Sequence, residues 1–108
     1  MSTLPDKIDL LKLADNLGDR EEKTVSTVED LNVYVTSYLG EYPAHKHPKA
    51  EFFFVLEGEL ELDFSGVAVT LRKGEGMKVP KETVHRPSAK SRALVLKIEP
   101  VEFPFQKV

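Results

Sequence analysis

The segment GEYPAHKHPKAEFFFVLEG, residues 40–58, holds two of the three histidines of the chain and guides the interpretation of the rest. His45 and His47 are two residues apart, so in an extended backbone their imidazoles lie on the same face. Glu51 follows four residues later, after a bend at Pro48, and begins an apolar run. This order places two imidazoles and a carboxylate near the start of a predicted strand.

The third histidine, His85, lies far along the chain in VPKETVHRP, at the head of another predicted strand. Three neutral imidazoles and one carboxylate form a suitable ligand set for a divalent first-row metal. On its own, a His-x-His pair is usually two surface histidines, and a glutamate at the start of a strand is commoner still. The metal hypothesis therefore depends on all four residues falling in one ordered frame.

Alternation of apolar and polar residues begins at Lys23 and is typical of strands with one buried face. It runs through residues 59–64 and 67–71, with a predicted hairpin at Ser65-Gly66 between them. The same signs predict strands near 33–39, 51–57, 76–80 and 92–99. Many short strands at near-regular spacing predict an antiparallel sandwich or barrel.

Residues 1–22 have a different pattern. Apolar residues recur there at helical intervals, at Leu10, Leu13, Ala14 and Leu17. They predict one short helix, capped by Asp6 or Asp9, ended by Gly18, and preceded by a brief strand around Ile8. We expect a single domain in which residues 1–22 pack on a barrel of residues 23–108. The tail, residues 99–108, is predicted to run extended along an edge.

The ordered frame resembles the cupin superfamily, and its details are similar to the small mannose-6-phosphate isomerase-like cupins. The first cupin motif reads roughly G-(x)5-H-x-H-(x)3,4-E-(x)6-G. Here Gly40, His45, His47, Glu51 and Gly58 follow it with one residue fewer after the first glycine. The second motif reads roughly G-(x)5-P-x-G-(x)2-H-(x)3-N, and the residues in register with it are Gly74, Pro80, Glu82, His85 and Ala89.

Two positions depart from that second motif, since Glu82 stands for its second glycine and Ala89 for its asparagine. Neither position is a metal ligand in the family. The resemblance implies an all-β fold, a jelly-roll (double-stranded β-helix) cupin barrel with a short N-terminal α-helix. It also implies one divalent metal per chain (iron, manganese, nickel or zinc) in the barrel mouth. The ligands that it implies are His45, His47, Glu51 and His85.

Strand parity predicts which side chains line the barrel interior. If Glu51 points inward, Phe53 and Val55 also point inward, and the row Phe52, Phe54 and Leu56 faces the other way. Lys46 and Arg86 should point away from the metal. Other candidates for the pocket wall are Tyr34, Tyr38, Phe64 and Met77, although each of these is, taken singly, more commonly a plain core residue.

Composition narrows the choice of partners. The chain has 108 residues, no cysteine, 15 Lys+Arg against 18 Asp+Glu, and a net charge of −3. A mixed acidic surface does not favour nucleic-acid binding, and no window is apolar enough to span a membrane. Without a secretory signal at its start, the expected location is the cytoplasm. The apolar helix face and the Phe52 row predict a homodimer.

Three functions remain open at this point. The first is a small metalloenzyme, dioxygenase-like or isomerase-like, acting on a small molecule in the barrel. The second is a non-catalytic module that binds a small molecule or metal. The third is a purely structural metal. Once the ligands are set aside, no histidine or cysteine remains for proton transfer, and no other acid or base stands out in an inward position.

Overall fold

The structure is a computed structural model, and it describes residues 4–102 and 106–107. Strands form most of it. One short helix precedes them, α1 Leu10–Asp15. The strands are β1 Glu22–Val28, β2 Leu31–Glu41, β3 His45–Lys46, β4 Glu51–Glu57, β5 Glu59–Phe64, β6 Val67–Arg72, β7 Gly76–Val79, β8 Arg86–Pro100 and β9 Gln106–Lys107. The strands predicted near 51–57, 76–80 and 92–99 and the hairpin at Ser65-Gly66 are confirmed.

The long strand β8 organises the sheet. Its 15 residues pair antiparallel with β5 through their first part, with β4 through their second part, and with β2 along most of their length. The strand path runs β1-β2-β8-β4-β7, with β5 and β6 joined to it through β8. This all-β arrangement is the jelly roll that the sequence predicted.

The barrel interior is filled by the inward face of each strand. Along β4, Phe53 and Val55 are buried, whereas Phe52 is 37% exposed, so the predicted parity is confirmed. Burial of an apolar side chain stabilises the fold by about 1.5–3 kcal/mol. The core residues are almost completely buried. They are Tyr38, Phe53, Val55, Leu60, Leu62, Leu71, Val79, Ala89, Ala93 and Val95.

Helix α1 covers the other face of the sheet. Asp9 caps it by accepting a hydrogen bond from the Lys12 backbone N–H, which satisfies one of the unpaired donors of the first turn. Ala14 is fully buried with Val35 and Leu94. The helix was therefore predicted correctly, although it ends at Asp15, before Gly18.

The expected strand around Ile8 is wrong. Residues 4–9 are exposed and pair with none of the described strands, so their backbone groups are left to solvent and they form no strand.

The C-terminal tail returns to the barrel. Strand β9 pairs antiparallel with β3, with Lys107 opposite His45. This pairing agrees with an extended tail along an edge for residues 106–107. The rest of that prediction, at residues 103–105 and 108, lies outside the described residues.

Candidate metal centre

Four side chains converge at one end of the barrel. His45 lies on β3, His47 follows it, Glu51 is the first residue of β4, and His85 immediately precedes β8. His47, Glu51 and His85 are buried, and His45 is half-buried. The structure therefore brings together all four residues that the sequence frame selected.

Backbone hydrogen bonds hold together His45 and His85, the two ligand residues that lie farthest apart along the sequence. The His45 N–H donates to the His85 carbonyl at 3.0 Å, and the His85 N–H donates to the His45 carbonyl at 2.9 Å. The Glu82 N–H donates to the His47 carbonyl at 2.7 Å. Glu82 has a φ of 60°, a conformation that glycine adopts most readily, which explains why the motif has glycine there.

Carbonyl groups orient two of the imidazole rings. Nδ1 of His45 lies 2.9 Å from the Pro43 carbonyl oxygen, and Nδ1 of His85 lies 2.8 Å from that of Thr83. A carbonyl only accepts hydrogen bonds, so each Nδ1 carries the proton. This arrangement turns Nε2 of both rings toward the site and is common around metal-bound histidines. Nε2 of His85 shares a hydrogen bond with Oε1 of Glu51 there, at 2.8 Å.

The donor atoms fit a single divalent ion. Oε1 of Glu51 lies 2.8 Å from Nε2 of His85 and 3.8 Å from Nε2 of His47. One ligand atom from each of the four residues lies within 4.8 Å of the others. Ligands at about 2.0–2.2 Å from an ion lie at most about 4.4 Å apart, so only a small closure of the cluster is required.

Local electrostatics favours the ligating forms. Burial lowers the pKa of His45, which keeps its ring neutral and able to coordinate. Burial acts to raise the pKa of Glu51, but the hydrogen bond from His85 and the charge of Lys97 outweigh it and lower that pKa. A neutral imidazole and an ionised carboxylate are the forms that a metal binds.

A cavity of about 560 Å³ opens beside the four ligand residues. Of the predicted wall residues, Tyr38 and Phe53 line it. Val55 lies in the barrel core with Tyr38 and Phe53, and the partly buried Phe64 and Met77 pack against that core. The remaining lining residues are Arg20, Glu22, Thr36, Tyr42, His45, His47, Glu51, Lys97 and Glu99.

Tyr34 is likewise absent from the cavity lining. It shares the inward face of β2 with Tyr38, but its hydroxyl accepts a hydrogen bond from Asn32 and its ring lies beside Lys97. Lys46 and Arg86 point away from the site as predicted. Lys46 pairs with Glu82 at 3.4 Å and Arg86 with Asp63 at 3.2 Å.

Two ionisable residues of β8 that line this cavity, Lys97 and Glu99, were not predicted from the sequence. Burial raises the pKa of Glu99 to about 7, with Glu51 adding to the rise against the opposing charge of Lys97. Burial acts to lower the pKa of Lys97, but Tyr38 and the nearby carboxylates outweigh it and raise that pKa. Both residues follow the buried Val95 at two-residue intervals on one face of β8, and that spacing is the signal that could have shown which way their side chains point.

Comparison with known proteins identifies the family. Residues 39–99, more than half of the chain, match the cupin domain, and the chain belongs to the cupin family. An uncharacterised protein of Bacillus subtilis, YdbB, is 36% identical over an alignment of 93 residues, and the match covers 83% of this chain and 82% of that protein.

Two solved structures are similar along most of the chain. A cupin-2 domain-containing protein from Shewanella frigidimarina has a TM-score of 0.78 and 29% identity, over 82% of this chain and 88% of that one. Protein NMB1881 from Neisseria meningitidis has a TM-score of 0.79 and 26% identity, over 88% and 99%.

More distant structures share the fold alone. They include hydroquinone 1,2-dioxygenase PnpCD in complex with Cd²⁺ and 4-hydroxybenzonitrile, with a TM-score of 0.72 and 17% identity over 85% of this chain and 71% of that one. The polyketide cyclase RemF from Streptomyces resistomycificus has a TM-score of 0.67 and 22% identity over 81% and 69%. None of the helices in the described part of the chain has the length and apolar character needed to cross a membrane.

Proposed function

We propose that this cupin is a metal-dependent enzyme, dioxygenase-like or isomerase-like, that acts on a small molecule held in the barrel. The observation that carries the proposal is the convergence of His45, His47, Glu51 and His85 on one point beside an open cavity. A metal that only braced the barrel would not need a cavity next to it. One divalent ion per chain, iron, manganese, nickel or zinc, is the proposed cofactor.

A group able to move a proton supports catalysis over simple binding. Glu99 lines the same cavity as the ligands, and burial raises its pKa to about 7, near the range where a general acid or base works best. The raised pKa values of Tyr38 and Lys97 keep these two residues protonated. When bound, the metal would supply Lewis-acid polarisation of an oxygen atom or, if redox-active, reaction with dioxygen. Glu99 would then hold or transfer a proton at the substrate, and Lys97 would keep its proton as an ammonium group.

The more distant cupins named above are a dioxygenase and a cyclase, so this fold serves both oxygen chemistry and ring-forming chemistry in other proteins. Their low identity leaves the reaction of this chain to its own residues. We further propose a cytoplasmic location and a homodimer formed through the sheet face that carries Phe52. Light scattering that shows only a 12 kDa particle at tens of micromolar would contradict the dimer.

Metal content is the first test. Protein from cultures supplemented in turn with iron, manganese, nickel and zinc should carry close to one ion per chain by inductively coupled plasma mass spectrometry. The double variant H45A/H47A should lose that ion and keep its far-ultraviolet circular dichroism. K46A is the matched control, because Lys46 lies between the two histidines and pairs with Glu82 away from the site. Full occupancy in H45A/H47A would refute the ligand assignment.

Turnover is the second test. Iron-loaded protein is assayed for dioxygen uptake with a panel of phenols and enolisable carbonyl compounds. In parallel, metal-loaded protein in D₂O is assayed by NMR for deuterium exchange beside the carbonyl group. We expect one of the two activities, lost in H45A/H47A and retained in K46A. Binding of panel compounds without either activity would favour the non-catalytic module instead.

A further inference from the structure

Lys97 is an unusual residue for the interior of a barrel. Its side chain is only 14% exposed, and across the sheet it lies opposite both Tyr34 and Phe53. Its Nζ atom is 5.8 Å from the centre of the Tyr38 ring and 5.9 Å from that of Tyr34. A buried ammonium group is costly unless it is paired with an opposite charge.

The partner of Lys97 is a carboxylate at the rim of the cavity. Nζ lies 3.2 Å from Oε1 of Glu22, whose side chain is 47% exposed at the start of β1. Oε1 of Glu22 also accepts a hydrogen bond from the Thr36 hydroxyl at 3.2 Å. Because the Glu22 side chain reaches solvent, it can leave when another anion pairs with the buried ammonium group. A second carboxylate arriving from solvent could therefore replace Glu22 on the Lys97 ammonium group.

Metal loading reverses the charge of the cavity. Its lining contains two cations, Arg20 and Lys97, and three carboxylates, Glu22, Glu51 and Glu99. With all of them ionised the lining carries one negative charge in excess, and a divalent ion changes that excess to one positive charge. A cavity lined by excess positive charge concentrates anions, and its low-dielectric walls strengthen the attraction.

The rest of the cavity suits a small hydrocarbon group. Tyr38 and Tyr42 are in edge-to-face contact with ring centres 4.9 Å apart, and the buried Phe53 ring lies on the same wall. Aromatic rings of this kind pack well against a planar or aliphatic ligand body. The guanidinium of Arg20 lies 4.1 Å from the centre of the Tyr42 ring and completes the cationic side of the cavity.

We propose that this cavity binds a small organic carboxylate, with the Lys97 ammonium group as its charge partner in place of Glu22. The inference rests on the proposed function, because the metal supplies the charge that makes the cavity attractive to anions. Lys97 is thus a residue that determines specificity for an anionic substrate.

The test uses zinc-loaded protein, with benzoate as the probe and benzamide as its neutral counterpart of nearly the same shape, measured by isothermal titration calorimetry. Benzoate should bind at least about tenfold more tightly than benzamide. K97M should lose about tenfold in benzoate affinity while K97R retains most of it. K78M is the matched control, since Lys78 is exposed on β7, and it should bind benzoate as the native protein does.

A second variant covers the case in which K97M does not fold. E22Q removes the rim carboxylate and leaves Lys97 in place, so it should bind benzoate several-fold more tightly than the native protein. By reciprocity, benzoate should raise zinc affinity in a chelator competition by the same factor as zinc raises benzoate affinity.

The two proposals fail in different ways. Absence of zinc uptake, seen in the metal content, would refute the metal site itself. Full zinc content with equal benzoate affinity in folded K97M and native protein, or weaker benzoate binding in E22Q, would overturn the carboxylate site and leave the metal site intact.

Discussion

Replacing Gly58 by alanine tests how closely the chain packs where β4 passes into β5. Gly58 has a φ of +83°, and a Cβ atom there would lie 2.8 Å from the Arg92 carbonyl oxygen and 3.1 Å from Cα of Ala93. Both of these atoms belong to the backbone of β8, the strand that pairs with β2, β4 and β5. They cannot move without disturbing the sheet.

Gly74→Ala is the matched control, because Gly74 has nearly the same φ, +85°, but open space around the added Cβ. The left-handed conformation costs a non-glycine residue about 1–2 kcal/mol. Alanine also restricts the unfolded chain more than glycine does, which offsets about 0.4–1 kcal/mol of this cost in both variants. G74A should therefore lose about 0.5–1 kcal/mol of the free energy of unfolding.

The clash adds to this cost only in G58A. Forcing extra atoms into a well-packed region costs about 1–3 kcal/mol, so G58A should be destabilised by about 2–4 kcal/mol in total. Urea unfolding followed by far-ultraviolet circular dichroism measures both variants, and the difference should appear as a lower midpoint for G58A at an unchanged m-value. Equal destabilisation of G58A and G74A would refute the close approach to β8.

Two further predictions concern α1 and the cavity. Arg92 donates to the Ser37 hydroxyl and to three carbonyls at the end of α1, so R92M should lose about 2 kcal/mol of stability and speed hydrogen exchange in the helix. R86M, which breaks one exposed ion pair, should lose under about 0.5 kcal/mol, and equal losses would contradict the anchoring role. The second concerns Glu99, whose pKa rises from its ordinary 4.5 to about 7 on folding. Between these pH values the unfolded chain releases a proton that the fold retains, so Glu99 contributes a fall in the free energy of unfolding of the metal-free protein as pH rises through that window. His45, whose pKa is lowered, contributes in the opposite direction in both native protein and E99Q. In urea titrations at several pH values E99Q should therefore show a more positive slope than the native protein, and equal slopes would refute the contribution of Glu99.

Local periodicity was enough to predict the strands, whereas the ligand cluster also required the motif frame. Period two along β4 correctly placed Phe53 inside and Phe52 outside, since one-residue alternation is a property of any strand with a buried face. His45, His47 and Glu51 are close in sequence, so their meeting depends on one bend. His85 required the motif as well, because nothing local to it shows which strand end it meets.

Long-range pairing could not be read from the same signals. Lys97 reaches the cavity only because β8 pairs with β2 and β4 in a particular register, and the apolar run around it is typical of plain core. Arg92 bonds to carbonyl groups 75 to 78 residues away, which no sequence pattern near it indicates. The prediction of a strand at Ile8 was wrong for a related reason. A strand must pair with a neighbouring strand, and the local sequence does not show whether one is present.

The pairing of β9 with β3 has a practical consequence for purification. Lys107 lies opposite His45, so residues 106–107 run beside a strand that carries a metal ligand. A C-terminal polyhistidine tag would follow these residues closely in sequence and offer surplus imidazoles to divalent ions. Ions counted on tagged material would then include some held by the tag, so metal content should be determined on protein from which the tag has been cleaved.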